Sequence, residues 1–188
     1  MTAMIGLFIS CSDSNSPTNS GGPTPTGTTQ WVATEGLYRA AVNGSSHTNF
    51  MHYSFTTKDT LTTGVPKVLT GTNWDLAIRR TEIKLNGGAS GVAGGTAVGM
   101  QLDSGAVFGA VTAADSVGKS WTSDAIDYAV DQWYSYNPVT HQLDMTRWVY
   151  SMKDAGGHNY VKFRVDSIVG AAQPPNMGTV YITYFYNP

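Results

Sequence analysis

Four histidines (His47, His52, His141, His158), seven methionines and a single cysteine, Cys11, are the side chains able to take a soft or borderline metal. His141 and Met145 stand four residues apart in NPVTHQLDM, a loop that follows the aromatic stretch WYSY. On a loop both could turn toward one cavity, and imidazole plus thioether is a ligand set compatible with iron. An exposed loop histidine beside a core methionine is the blander reading of the same pair. His47 and His52 are five residues apart in SSHTNFMHYSF, an odd offset that sends them to opposite faces of a strand and disfavours a shared metal. One cysteine can build neither an internal disulfide nor a cysteine zinc site.

The run NGGASGVAGG, Asn86 to Gly95, invites a phosphate-loop reading. It lacks the closing lysine followed by Ser or Thr, and no apolar helical pattern follows it, so that reading fails. Its glycines are expected to supply positive-φ positions and to let a loop lie close against another backbone or a flat ligand. No GxSxG elbow accompanies the histidines, so nucleophilic catalysis is poorly supported. Two of Asp75, Glu82, Asp103, Asp124 and Asp144 could converge for glycoside hydrolysis, but aspartates in β proteins serve mostly in turns. Asp75 is expected to pair with Arg79 or Arg80, because a partly buried charge needs a partner.

The elements that must position these residues are strands. Charged residues make up only 13% of the 188, while ten Tyr and five Trp favour sheet over solvated helix. The net charge of −2 leaves no basic field for nucleic acid. Two-residue alternation marks Tyr53 and Phe55, then Trp74, Leu76 and Ile78, then Ile83 and Leu85. The apolar parity switches between Ile78 and Ile83, which predicts a bulge or bend near Arg79–Thr81. Trp148, Tyr150 and Met152 predict one arm of a hairpin, DAGG (Asp154 to Gly157) its turn, and Val161, Phe163 and Val165 its return. A last strand, Thr179 to Tyr186, should pair with that hairpin; Ser123 to Val130 is the one short helical candidate.

Three segments are expected: a lipoprotein-type signal over 1–11, a disordered tether over 12–29, and one β domain over 30–188. MTAMIGLFISC ends a short apolar run in small residues before Cys11, like the acylation site of a bacterial lipoprotein, although no Lys or Arg precedes it. The serine after Cys11 suits sorting to the outer membrane.

The chain resembles the HmuY-like haem-binding lipoproteins of Gram-negative bacteria. The resemblance rests on WDLAIRRTEIKLNGGASG, on WYSYNPVTHQLDM leading into VYSMKDAGGHNYVKFRV, and on GTVYITYFY, together most of residues 50–186. It implies an all-β fold shaped like a grasping hand that captures haem, scavenged from host haem proteins, and delivers it to an outer-membrane receptor. A lipid anchor would be its only contact with the membrane. It also implies two axial ligands, His or Met, from a segment after the glycine loop and from one just before the VYSM strand. The first segment here, FGAVTAADSVGKSW, has neither; before the second strand stand His141 and Met145, with Arg147 and Trp148 next to the strand itself. His141 or Met145 is thus the expected metal ligand, with a second from Met100 or from one of His47 and His52, and with Trp121, Trp133 and Trp148 as candidate contacts for the porphyrin plane, Trp148 first among them. The alternative is a surface lipoprotein of the same fold that has lost the iron ligands and binds protein or glycan.

Overall fold

The computed structural model describes residues 29–32, 36–61, 69, 71–91, 95–101, 108–125, 128–169 and 178–188. Twelve strands are present among them: β1 (Thr29–Val32), β2 (Leu37–Asn43), β3 (Met51–Ser54), β4 (Asp59–Thr60), β5 (Leu76–Arg79), β6 (Glu82–Leu85), β7 (Val98–Gln101), β8 (Tyr134–Asn137), β9 (Gln142–Met145), β10 (Tyr150–Lys153), β11 (Tyr160–Val169) and β12 (Thr179–Asn187). The helical content among the described residues is one 3-10 turn, Ala113–Ser116. Residues 126 and 127 of the expected helix fall outside the described set, and Asp124 at its start makes a bridge to Gly88 instead.

Six strands form an antiparallel sheet in the order β1-β2-β12-β11-β10-β7, four form a second in the order β4-β3-β5-β6, and β8 and β9 form a separate hairpin. The hairpin expected from the C-terminal third is present, with Tyr150 opposite Phe163 and Met152 opposite Val161. β12 pairs with β11 as expected, and also with β2 on its other side. Alternation sends Ala40, Val42, Tyr150, Met152, Val161, Phe163, Val180 and Ile182 of the larger sheet into one core with Tyr53, Leu76, Ile78, Ile83 and Leu85 of the smaller. The Tyr53 and Tyr184 hydroxyls meet at 2.9 Å across this core. Burial pushes the Tyr53 phenol up to about 12 and the Tyr184 phenol higher still, so both stay neutral.

The parity switch after Ile78 has a different cause from the one the sequence suggests. β5 and β6 are separate arms of a hairpin reversed by Arg80 and Thr81, so Ile78 pairs with Ile83 and Arg79 with Glu82. Arg80 takes a φ of 54°, a conformation usually marked by Gly or Asn, and its N–H donates to Gly44 O at 2.6 Å. Arg79 forks onto Glu82 at 2.8 Å, which leaves Asp75 without an arginine. The Asp75 carboxylate instead receives the N–H groups of Phe55 and Ala155, each at 2.7 Å, and ties the ends of two hairpins to β5.

Candidate ligand site

The outer face of the larger sheet, away from the shared core, carries the alternate residues of β11, Lys162 and Arg164. A strap of chain lies over this face. Its Phe108 and Val111 are buried with Val149, beside Leu37, in a small cluster separate from the main core. Lys162 Nζ donates to Phe108 O at 2.8 Å and Val111 O at 2.6 Å. Thr112 N–H donates to the Asp115 carboxylate at 2.7 Å to start the 3-10 turn, and this bond draws the Asp115 pKa below the ordinary carboxylate range. Beyond the turn, Gly99 and Thr122 exchange backbone bonds of 2.8 and 3.0 Å, so the strap ends tied to the edge strand β7. The segment after the glycine loop and the residues just before β10 therefore meet, through Phe108, Val111 and Val149.

The glycine loop closes upon the protein's own backbone. A Cβ on Gly87 would lie 1.9 Å from Ala97 O, and one on Gly88 would lie 2.1 Å from Asp124 O. Gly88 also has a φ of 60°. Asp124 is the counterpart of Asp75: Leu85 N–H and Ala129 N–H donate to its two oxygens, both at 2.9 Å. These two buried carboxylates hold backbone in place.

The β8–β9 hairpin leads into the residues before β10. Asn137 Oδ1 accepts from Val139 and Thr140 N–H at 2.9 and 3.1 Å, shaping the tip. His141 sits there, exposed, with a φ of 56° and its Nδ1 2.6 Å from Tyr136 Oη. Met145 lies at the other end of β9, opposite Tyr134, half-buried against the main core. Leu143 points to the same side of β9 between them, so the strand does not join His141 and Met145 into a two-ligand site. Gln132 and Arg147, at the two feet of the hairpin, have φ of 56° and 58°, and Thr146 Oγ1 clamps them by donating to Gln132 O at 2.6 Å.

The other expected residues are placed as follows. Met100 is in β7, in register with Ser151 of β10. Trp148 is half-buried against the main core, and Trp133 is fully buried in it with its indole N–H donating to Thr81 O at 3.2 Å. Trp121 is half-buried, with Lys153 Nζ 5.6 Å from its ring. His47 is exposed; His52 packs edge-on against Trp74 at 4.7 Å, and burial lowers its pKa. Cys11 and Asp103 lie outside the described residues. Among the described residues no three His, Cys, Asp or Glu side chains gather to hold a metal ion. Sequence reading missed Lys162: in VKFRV it looks like an ordinary solvent-facing residue of an alternating strand, and nothing local announces the strap that covers it.

The HmuY protein family matches residues 46–186. No curated protein matches the chain. Among solved structures, a candidate HmuY-like heme binding protein from Bacteroides vulgatus is similar at a TM-score of 0.61 and 15% identity, covering 85% of this chain and 96% of that one. A candidate lipoprotein from Bacteroides fragilis is similar at a TM-score of 0.50 and 16% identity, covering 84% and 94%. The apo HmuY analog of Tannerella forsythia is similar at 0.50 and 12%, covering 80% and 95%. With the match spanning most of the domain and the antiparallel architecture agreeing, the chain belongs to the HmuY family.

Proposed function

We propose that the protein binds haem, or a related tetrapyrrole, as cargo for uptake. The observation that carries this reading is the contact between the strap and the residues before β10 in a chain of the HmuY family, since those are the segments from which the resemblance draws the ligands. His141 fits the role of an axial ligand. If its Nδ1–H donates to Tyr136 Oη, Nε2 is left bare and outward, the arrangement by which proteins orient a metal-binding imidazole. Met100 or a solvent molecule completes the coordination, and Trp148 offers an aromatic edge to the porphyrin. Acylated Cys11 would hold the domain at the outer membrane, facing outward or into the periplasm, where a haem receptor and host haem proteins are the partners.

Haemin titration tests the reading. A saturable, shifted Soret band is expected, strongly reduced in His141→Ala and less affected in Met145→Ala. No shift under either oxidising or reducing conditions overturns it. That outcome favours the second reading, a domain of this fold that binds protein or glycan without iron. It has its own support: the strap from Phe108 to Trp121 contains no His, Met or Cys. For the anchor, Cys11→Ser is expected to move the protein from the detergent phase to the aqueous phase; unchanged partitioning rejects lipidation at Cys11.

A further inference from the structure

Lys162 is 7% exposed, yet among the described residues no carboxylate pairs with it. Its ammonium lies 4.8 Å from the Phe108 ring centroid and 5.8 Å from that of Phe185, and its hydrogen-bond acceptors are the two strap carbonyls. A buried charge is normally matched by an opposite one, since neutral dipoles compensate only part of the lost hydration. The imbalance is visible in the lysine itself, whose pKa burial lowers; the acid that opposes this, Asp115, stands too far off to touch it. Arg164, the next outward residue of β11, is already paired with Asp166 at 2.7 Å and makes no comparable demand. The Phe108 and Phe185 rings face the ammonium, and Val111, Val149 and Leu37 pack with Phe108.

We infer that Lys162 anchors a carboxylate site beneath the strap, and that the carbonyls of Phe108 and Val111 hold its ammonium until an apolar ligand bearing a carboxylate takes their place. The exchange replaces two neutral acceptors with a charged one, which makes the stronger hydrogen bond to an ammonium. The strap is suited to lift. Gly109 and Ala110 at its crest are exposed, and Gly109 and Gly118 have open space where a Cβ would stand. The inference rests on the haem reading for the identity of the ligand, whose propionates are the carboxylates concerned, but it makes their recognition independent of iron.

The test is a tryptophan-quenching titration of the whole protein with protoporphyrin IX, its dimethyl ester, haemin and palmitate. The free acid is expected to bind about ten-fold more tightly than the ester. Lys162→Met should bring the two within about two-fold of each other, whatever its effect on their common affinity. The variant also removes the donor to the Phe108 and Val111 carbonyls, so far-ultraviolet dichroism and a cooperative melt are used to establish that it folds before affinities are compared. Equal affinity of acid and ester for the unaltered protein overturns the inference without recourse to any variant, as does a folded Lys162→Met protein that keeps the preference. Palmitate bound in a Lys162-dependent way, with no porphyrin binding, supports the carboxylate site and overturns its assignment to a tetrapyrrole. A His141-dependent Soret shift with no acid preference preserves the haem reading and removes this one. An acid preference without a Soret shift does the reverse.

Discussion

The Asp75 carboxylate receives the backbone N–H groups of Phe55 and Ala155 and the Ser54 side chain, yet burial outweighs them, pushing its pKa up to about 6. The folded protein therefore takes up this proton more readily than the unfolded chain. The contribution of Asp75 to stability is greatest below the ordinary carboxylate value of 3.8 and falls by about 3 kcal/mol as pH rises to about 6. Denaturant titrations at pH 4 and pH 7 are expected to show this loss in the parent and a smaller one in Asp75→Asn, which cannot ionise. Equal pH dependence in the two proteins would sink the assignment. Asp75→Ala should cost about 2–5 kcal/mol at either pH, because it strands the N–H groups of both Phe55 and Ala155. In the β8–β9 hairpin, Tyr136→Phe is expected to weaken the proposed haemin binding about ten-fold by freeing the His141 ring. An unchanged affinity would mean that Tyr136 does not orient the ligand.

Among the elements, those with unbroken alternation were legible and those reversed without a glycine were not. β10, β11 and β12 follow directly from WVYSM, VKFRV and TVYITYFY, because every second residue of each is apolar and turned inward. The β5–β6 hairpin escaped detection as a hairpin because its turn is built on Arg80 and Thr81, where tertiary contacts force a left-handed arginine. Arg80→Gly should accordingly raise stability by about 1 kcal/mol, by relieving that conformation and by removing a buried Nε that has no hydrogen-bond partner. A fall in the unfolding midpoint would show that the arginine side chain outweighs the strain. The glycine loop was legible as a place of close approach, but whether it approached a ligand or its own chain was not. With Asp124 O where the Cβ of residue 88 would stand, Gly88→Ala is expected to cost about 3 kcal/mol or more. Within the candidate site, His141 could be picked out by residue type. Lys162 could not, since its burial depends on a strap some fifty residues earlier in the chain.

At the scale of the whole molecule, one apolar cluster draws on both larger sheets, so neither sheet can keep its inner face covered alone. Unfolding should be a single transition, with tryptophan fluorescence and far-ultraviolet dichroism superimposing. Ile182→Ala in the larger sheet and Ile78→Ala in the smaller are each expected to cost about 2–5 kcal/mol and to shift both signals together. Separate midpoints for the two probes would show the sheets to be independent. The strap over Lys162 and His141 at the hairpin tip lie outside this shared core, whereas Met145 and Trp148 pack against it.

The position of β12 has a consequence for the making of the protein. It lies between β2 and β11, so residues near the start of the domain acquire their sheet partner from Thr179–Asn187, more than a hundred residues later. As the chain emerges in order, β2 and β11 each present an unsatisfied edge until those final residues arrive. During synthesis these open edges are templates for pairing with other chains, and a ribosome stalled before Thr179 would release an aggregation-prone fragment rather than a smaller working protein.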